Sequence, residues 1–396
     1  MTREANDVVI VSVARTAIAR APKGSLRYTR PDDLAAVAIL AALHALGDVE
    51  FTAIDDVILG CASPEAAQGL NVARIAALRA GLPETVPGLT LNRFCASGIE
   101  AIAVAAAKIA TGQAELIVAG GVESMTMVPF MGPSMSPNPY LLENLPDTYL
   151  PMGLSVERLA RHYGVTREES DRYALESHRR ALAAQDAGYF GDEIAPVTLD
   201  PALDAGSGCA ASPVVFDRDE GPRRDTSMEA LAHLKPAFCE DGVITAGNAS
   251  SRSDGAAAVV LTTRASAQER GWRPLARFAG YALAGVAPAD FGIAPAHAIP
   301  TLLNRTHVAL DDVDLIEFNE AFASQVLAAD RLYPLPMDRV NVNGGAVALG
   351  HPLGATGARQ TVTLVHEARR RAARYGIVTM CAALGMGAAA LFEFEF

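Results

Sequence analysis

Gly88-Leu-Thr-Leu-Asn-Arg-Phe-Cys95-Ala-Ser-Gly-Ile-Glu-Ala-Ile102 decides how this chain folds. Gly88–Leu91 reads as a short strand, Asn92–Cys95 as a turn, and 97–111 as a helix that is apolar almost all round. A helix apolar on every side belongs inside a molecule, not on its surface. The run Leu116-Ile-Val-Ala-Gly-Gly121 then closes the unit as a second strand. The pattern returns near the C-terminus, where Gly354-Ala-Thr-Gly-Ala358 opens a helix leading to Ile377-Val-Thr-Met-Cys381. An internal duplication follows, one turn carrying Cys95 and its mirror carrying His351.

Outward from these units, β-like and Ala-rich helical runs alternate. Val8–Val13 precedes a helix over 31–46, in which Leu34, Val37, Ala38, Ala41 and Ala45 form a stripe at helical spacing. Val57–Gly60 precedes a helix over 71–80, and the final Leu391-Phe-Glu-Phe-Glu-Phe396 alternates as a strand does. The rhythm predicts an α/β layered fold with a mainly parallel central sheet. Residues 125–252 break it. They are rich in Met, Pro and Asn up to Pro151, helical and charged over 166–187, then loop-like. This stretch reads as an insertion over one face of the core, a usual location for substrate contacts.

With 396 residues, half of them hydrophobic, the chain can bury a large core in two or three domains. A net charge of −12 argues against general nucleic-acid binding. Arg218, Arg223, Arg224 and Lys235 form either a local cationic patch or a solvated basic turn. No apolar run reaches the ~18 residues of a membrane span. Val8 begins a strand too early for a signal peptide to precede it, so a cytoplasmic location is expected. Cys61, Cys95, Cys209, Cys239 and Cys381 are scattered without CxxC spacing. Neither a metal site nor a disulfide framework is indicated, and a buried inert thiol is the default for each.

Two thiols and one imidazole escape that default. A thiol at a helix N-terminus meets the positive end of the macrodipole and free N–H groups, both of which lower its pKa, so Cys95 is a candidate nucleophile. Asn341-Val-Asn-Gly-Gly-Ala-Val-Ala-Leu-Gly-His351-Pro-Leu-Gly-Ala-Thr-Gly357 packs five glycines around one ring. It is either a phosphate cradle or a mount for a catalytic imidazole. The cradle reading weakens because no Lys-Ser/Thr follows as in a P-loop. Cys381 resembles Cys95 in context, a thiol at a strand end entering the small-residue turn Ala382-Ala-Leu-Gly-Met-Gly387. Asn319 either caps a helix or holds a water over the site. The polar loop 245–256 suits an extended, amide-bearing ligand.

Together these segments resemble the thiolase family along essentially the whole chain. The resemblance rests on Asn92-Arg-Phe-Cys95-Ala-Ser-Gly98, Gly120-Gly-Val-Glu-Ser-Met125, Ala246-Gly-Asn-Ala-Ser250, Asn319-Glu-Ala-Phe322, Asn341–Gly357, and Cys381 with Gly385 and Gly387. It implies a duplicated βαβ core of two similar halves, five-layered α-β-α-β-α, with an inserted loop domain. The halves would be 1–124, completed by 253–270, and 271–396, with the insertion at 125–252. It also implies thiolytic cleavage of a 3-oxoacyl-CoA by CoA, reversibly, through acyl-Cys95. His351 would be the base for Cys95, and Cys381 the acid and base for the second substrate. His351 with a water on Asn319 would hold one oxyanion; the backbone N–H groups of Cys95 and Ala383 would hold the other. Ser250, Arg223 and Met152 would contact CoA or the acyl group. CoA is then a substrate, no separate cofactor or metal is implied, and the assembly would be a homodimer or a dimer of dimers.

Three departures bear on this. Ala383 stands where the family commonly has Gly. Pro151 stands where acetoacetyl-specific members tend to carry His, and the loop between Glu123 and Met152 is shorter than theirs. The last two features favour a degradative 3-ketoacyl-CoA thiolase. The alternative is a biosynthetic acetyl-CoA C-acetyltransferase making acetoacetyl-CoA, and a more distant one a catalytically silent CoA-binding partner subunit. A decarboxylating ketosynthase is disfavoured because Asn319 occupies the place where that class would use a second His.

Overall fold

Every residue of Val8–Thr16 is buried, as befits a strand covered on both faces. This strand, β1, lies near the middle of a mixed sheet in the computed structural model, which describes residues 4–130, 132–199 and 214–396. Cys209 lies outside the described residues. The other strands are β2 (Ala19–Arg20), β3 (Asp56–Gly60), β4 (Gly88–Leu91), β5 (Leu116–Ser124), β6 (Ile194–Ala195), β7 (Val197–Leu199), β8 (Val214–Phe216), β9 (Ser253–Thr263), β10 (Ala276–Gly285), β11 (Leu315–Phe318), β12 (Tyr375–Ala382) and β13 (Met386–Phe394).

The main path runs β11-β12-β13-β10-β1-β9-β5-β3-β4, and it contains a repeat. The order β1-β9-β5-β3-β4 in the first half matches β10-β13-β12-β11 in the second. Where a fifth strand would lie, Val340 makes a single parallel bridge to Ile316. The halves meet where β1 and β10 pair antiparallel.

Alternation along the strands builds the layers. Val9, Val11, Val118 and Val260 face one way, into a cluster with Leu34, Ile39 and Val72 of the outer helices Pro31–His44 and Val72–Arg79. Their neighbours Val8, Ile10, Ile117 and Val259 face the other way, towards helices Ser97–Ala110 and Thr356–Arg371. The opposite side of that central pair is covered by Val378, Met380, Ala390 and Phe392 of the second half. Ile377 and Leu391 then turn outward onto helices Pro295–Thr306 and Ala323–Leu332. Helix, sheet, helix, sheet, helix: the layers number five.

The expectation of a mainly parallel sheet is not met. Pairs joined by helical crossovers are parallel (β3 with β4 and β5, β11 with β12). The long strands β9 and β13 run antiparallel to both their neighbours on the path. β13 returns from β12 by a hairpin, and β9 enters after the insertion, so neither is reached by a crossover. The insertion is tied to the core through Arg15 of β1. This fully buried guanidinium binds Asp219 through two N–H groups at 2.8 Å each and Glu193 at 2.7 Å. Removing one partner of such a buried set typically costs about 3–5 kcal/mol.

Candidate active site

Cys95 sits in a tight turn, Phe94–Ala96, between β4 and the Ser97–Ala110 helix. Phe94 is held at φ +49°, a left-handed conformation uncommon for a side chain of its size. Local polar groups stabilise it: Phe94 N–H donates to Asn92 Oδ1 at 2.7 Å, and Ser97 Oγ donates to the Phe94 carbonyl at 2.6 Å. The turn packs against both β12 and the Leu353–Ala355 turn of the His351 loop, so the mirrored loops do meet. The backbone N–H groups of Cys95 itself and of Ala383 favour its thiolate. They do not lower its pKa overall. Burial pushes the thiol up to about 12, with the Glu123 carboxylate adding to the effect. The expectation of a thiol acidified by its helix end is overturned, because desolvation outweighs the donors.

His351 follows Gly350, whose φ of +103° turns the chain so that the ring is buried. Its N–H donates to Ser253 Oγ at 3.1 Å. Its Nδ1 lies 2.6 Å from Thr356 Oγ1, and that hydroxyl donates to the Pro352 carbonyl at 2.8 Å. With the Thr356 proton so engaged, Nδ1 is assigned the donor and Nε2 the lone pair. Nε2 faces the Asn319 amide nitrogen at 3.3 Å. Burial pushes the imidazole down to about 3, with the Arg359 charge contributing, so the ring is neutral at pH 7.

Cys381 is fully buried near the end of β12, opposite Gly387 of β13. The hairpin passes through Leu384 at φ +64° and Gly385 at φ +79°, directly after Ala383. Burial holds the Cys381 thiol well above its usual range, and Cys95 raises it further, so Cys381 lies in the field of Cys95. Val156, Phe291 and Phe322 pack with Cys381, and the half-buried Met152 packs against this apolar group. A buried thiol with two backbone donors, a neutral imidazole and a second thiol beside an apolar wall can together support acyl transfer and carbon acid–base chemistry.

The remaining candidates lie farther out. Ser250 is held against the Asn319–Phe322 segment, its hydroxyl donating to the Ala321 carbonyl at 2.9 Å. Its neighbour Ser251 lines an adjacent cleft together with Gly247, Arg20, His178 and Arg223. The basic patch divides: Arg224 and Arg218 pair with Asp186, while Arg223 faces that cleft. Burial first, then Arg223 and Arg20, push His178 down to about 4. Sequence reasoning gave no role to Thr356 or Glu123, although both lie inside quoted motifs. The signal for Glu123 was present, an acidic residue in an otherwise apolar strand.

A family model described as the thiolase N-terminal domain matches residues 8–265, and one described as the thiolase C-terminal domain matches 272–394. The chain is 48% identical over 388 residues to a 3-ketoacyl-CoA thiolase of Bacillus subtilis, covering 98% of this chain and 99% of that protein. Among solved structures, the Bacillus anthracis acetyl-CoA acetyltransferase aligns with a TM-score of 0.89 at 42% identity, covering the whole of both chains. Human mitochondrial 3-ketoacyl-CoA thiolase in complex with CoA aligns with a TM-score of 0.88 at 37% identity, covering 99% of each.

Proposed function

The chain belongs to the thiolase family, and we propose that it is an acyltransferase cleaving 3-oxoacyl-CoA with CoA to give acetyl-CoA and a shortened acyl-CoA. The observation that carries this reading is the buried Cys95 thiol in a turn packed against both the Leu353–Ala355 turn of the His351 loop and the strand that carries Cys381.

Cys95 sulfur bonds to the C3 carbonyl carbon as its proton passes to His351 Nε2. The resulting alkoxide collapses, breaking the C2–C3 bond and leaving an acyl thioester on Cys95. The electron pair departs on C2 as the acetyl-CoA enolate, which takes the Cys381 proton. CoA then loses its thiol proton to Cys381, its sulfur takes the acyl group, and His351 returns the proton to Cys95. Reversal is a Claisen condensation. One oxyanion rests on the N–H groups of Cys95 and Ala383. The other rests on His351 and a water on Asn319, whose Oδ1 has no hydrogen-bond partner among the described residues.

The apolar group of Val156, Phe291, Phe322 and Met152 at Cys381 supports an acyl chain longer than acetyl, and so degradation of fatty acyl groups. The cleft at Ser251, Arg20 and Arg223 supports an anionic, amide-bearing CoA. Buried free thiols at Cys61, Cys95 and Cys381 suit a reducing cytoplasm. No helix among the described residues is long and apolar enough to cross a membrane. A homodimer is proposed through the β4 edge, and the chain division at 1–124, 125–252, 253–270 and 271–396 belongs to the same reading.

The test is thiolysis of 3-oxoacyl-CoAs of graded chain length, with acyl-Cys95 trapped by mass spectrometry. Cys95→Ala is expected to abolish the adduct. Cys381→Ala is expected to accept an acyl group from a simple acyl-CoA but to turn over poorly. Activity confined to acetoacetyl-CoA would favour the biosynthetic alternative. No adduct and no CoA-dependent cleavage would make this a silent CoA-binding subunit.

A further inference from the structure

The motif Gly120-Gly-Val-Glu-Ser-Met125 takes no part in the reaction just described, yet it carries a fully buried carboxylate within the field of Cys95. Glu123 stands near the end of β5. Its Oε2 accepts N–H bonds from Ala62 and from Gly354, both at 2.8 Å. Its Oε1 accepts from Gln68 Nε2 at 2.8 Å and from Ser63 N–H at 3.2 Å, with the Cys61 thiol at 3.8 Å. Ala62, Ser63 and Gln68 follow β3 in the first half. Gly354 lies three residues beyond His351 in the second. Burial raises the pKa of this carboxyl, while four N–H donors face it and none can accept from it, so the hydrogen bonds favour the ionised form.

The approach is close. A methyl on Gly354 would lie 2.6 Å from Cys61 Cα and 2.8 Å from Glu123 Oε2, and one on Gly121 would lie 2.0 Å from the Gly354 carbonyl. The His351 loop is therefore seated directly on the strand ends of the other half, with one carboxylate between them.

We propose that Glu123 is a positioning residue for the transfer reaction, a buried anion that pins the His351 loop to the nucleophile's half and sets its negative charge on Ala62, which packs against Cys95. This rests on the acyl-Cys95 reading above. The charge adds to burial in holding Cys95 as a thiol, so that the proton leaves when a carbonyl and His351 are both in place. The tie sets the separation between the sulfur and the ring, and a displacement of about 1 Å at such a site costs up to ~10²-fold in rate.

Two variants separate charge from reach. Glu123→Gln removes the charge at nearly constant shape. The pH profile of Cys95 alkylation by iodoacetamide, followed by peptide mass spectrometry, is expected to move at least about one unit lower, roughly tenfold faster reaction at pH 8. Glu123→Asp keeps the charge but shortens the arm. It is expected to keep the wild-type alkylation profile while kcat for thiolysis falls about 10²-fold and KM for CoA stays within about twofold. A wild-type profile in Glu123→Gln, or full kcat in Glu123→Asp, overturns the proposal. Loss of the folded melting transition in both variants also overturns it, because Glu123 is then a folding determinant. Alkylation needs no thiolysis, so a wrong functional reading shows separately, as wild-type protein that forms no acyl-Cys95.

Discussion

Cys95 at about 12 and His351 at about 3 are poised far from sharing a proton. On the proposed mechanism the thiolate forms as the carbon–sulfur bond forms, while charge moves onto the substrate oxygen. The groups that receive that charge then govern the rate more than the resting acidity of the thiol does. Asn319 is the cleanest test at this scale, being fully buried with its amide nitrogen 3.3 Å from His351 Nε2. Asn319→Ala is expected to lower kcat by ~10²–10³ with little change in KM for CoA, as loss of one oxyanion donor does. Steady-state kinetics decide it; an unchanged kcat removes Asn319 from the oxyanion site. Cys95, His351, Cys381 and Asn319 were all legible as candidates, because thiols, imidazoles and amides at strand and helix ends are visible in a sequence. The direction of the Cys95 shift was not, since desolvation depends on what covers the turn.

The two central helices show what the glycines near His351 do for packing. A methyl on Gly98 would lie 2.7 Å from Ala358 N, and one on Gly357 would lie 2.5 Å from Ile99 N. The helices cross at these positions, each start resting on the other, and each start follows a loop that carries a proposed catalytic residue. Gly357→Ala is expected to lower stability by about 1–3 kcal/mol, the usual cost of overfilling a packed core, and to slow thiolysis by separating the loops. Gly285→Ala is the control, since nothing lies within 4 Å of a methyl there. Thermal melting and thiolysis rates for both variants check this; equal melting temperatures would mean the crossing tolerates the methyl. Periodicity placed the first of these helices to within one residue at either end, Ser97–Ala110 against a reading of 97–111. Strand direction was misjudged for β9 and β13, because an apolar run carries no mark of which neighbour it pairs with.

At the scale of the whole molecule, β4 leaves an open edge. Among the described residues it pairs with β3 on one side only, and Leu89 on β4 is exposed, as is Leu78 on the adjoining Val72–Arg79 helix. Leu70, just before that helix, is 94% exposed. An unpaired strand flanked by exposed leucines is a template for a second copy. Wild-type protein is expected to be dimeric by light scattering, and Leu89→Lys to shift it towards monomer; a monomeric wild type, or an unaffected variant, would place the contact elsewhere or remove it. By itself the sequence determined the ordered motifs, the helices, the duplicated βαβ core and hence the family, because periodicity, turn residues and reactive side chains are properties of neighbours along the chain. Only the tertiary structure decided the antiparallel course of β9 and β13, the protonated state of Cys95, and the Glu123 carboxylate between the halves. Each of these depends on groups brought together from distant parts of the chain, where burial sets the energy and spacing along the sequence does not.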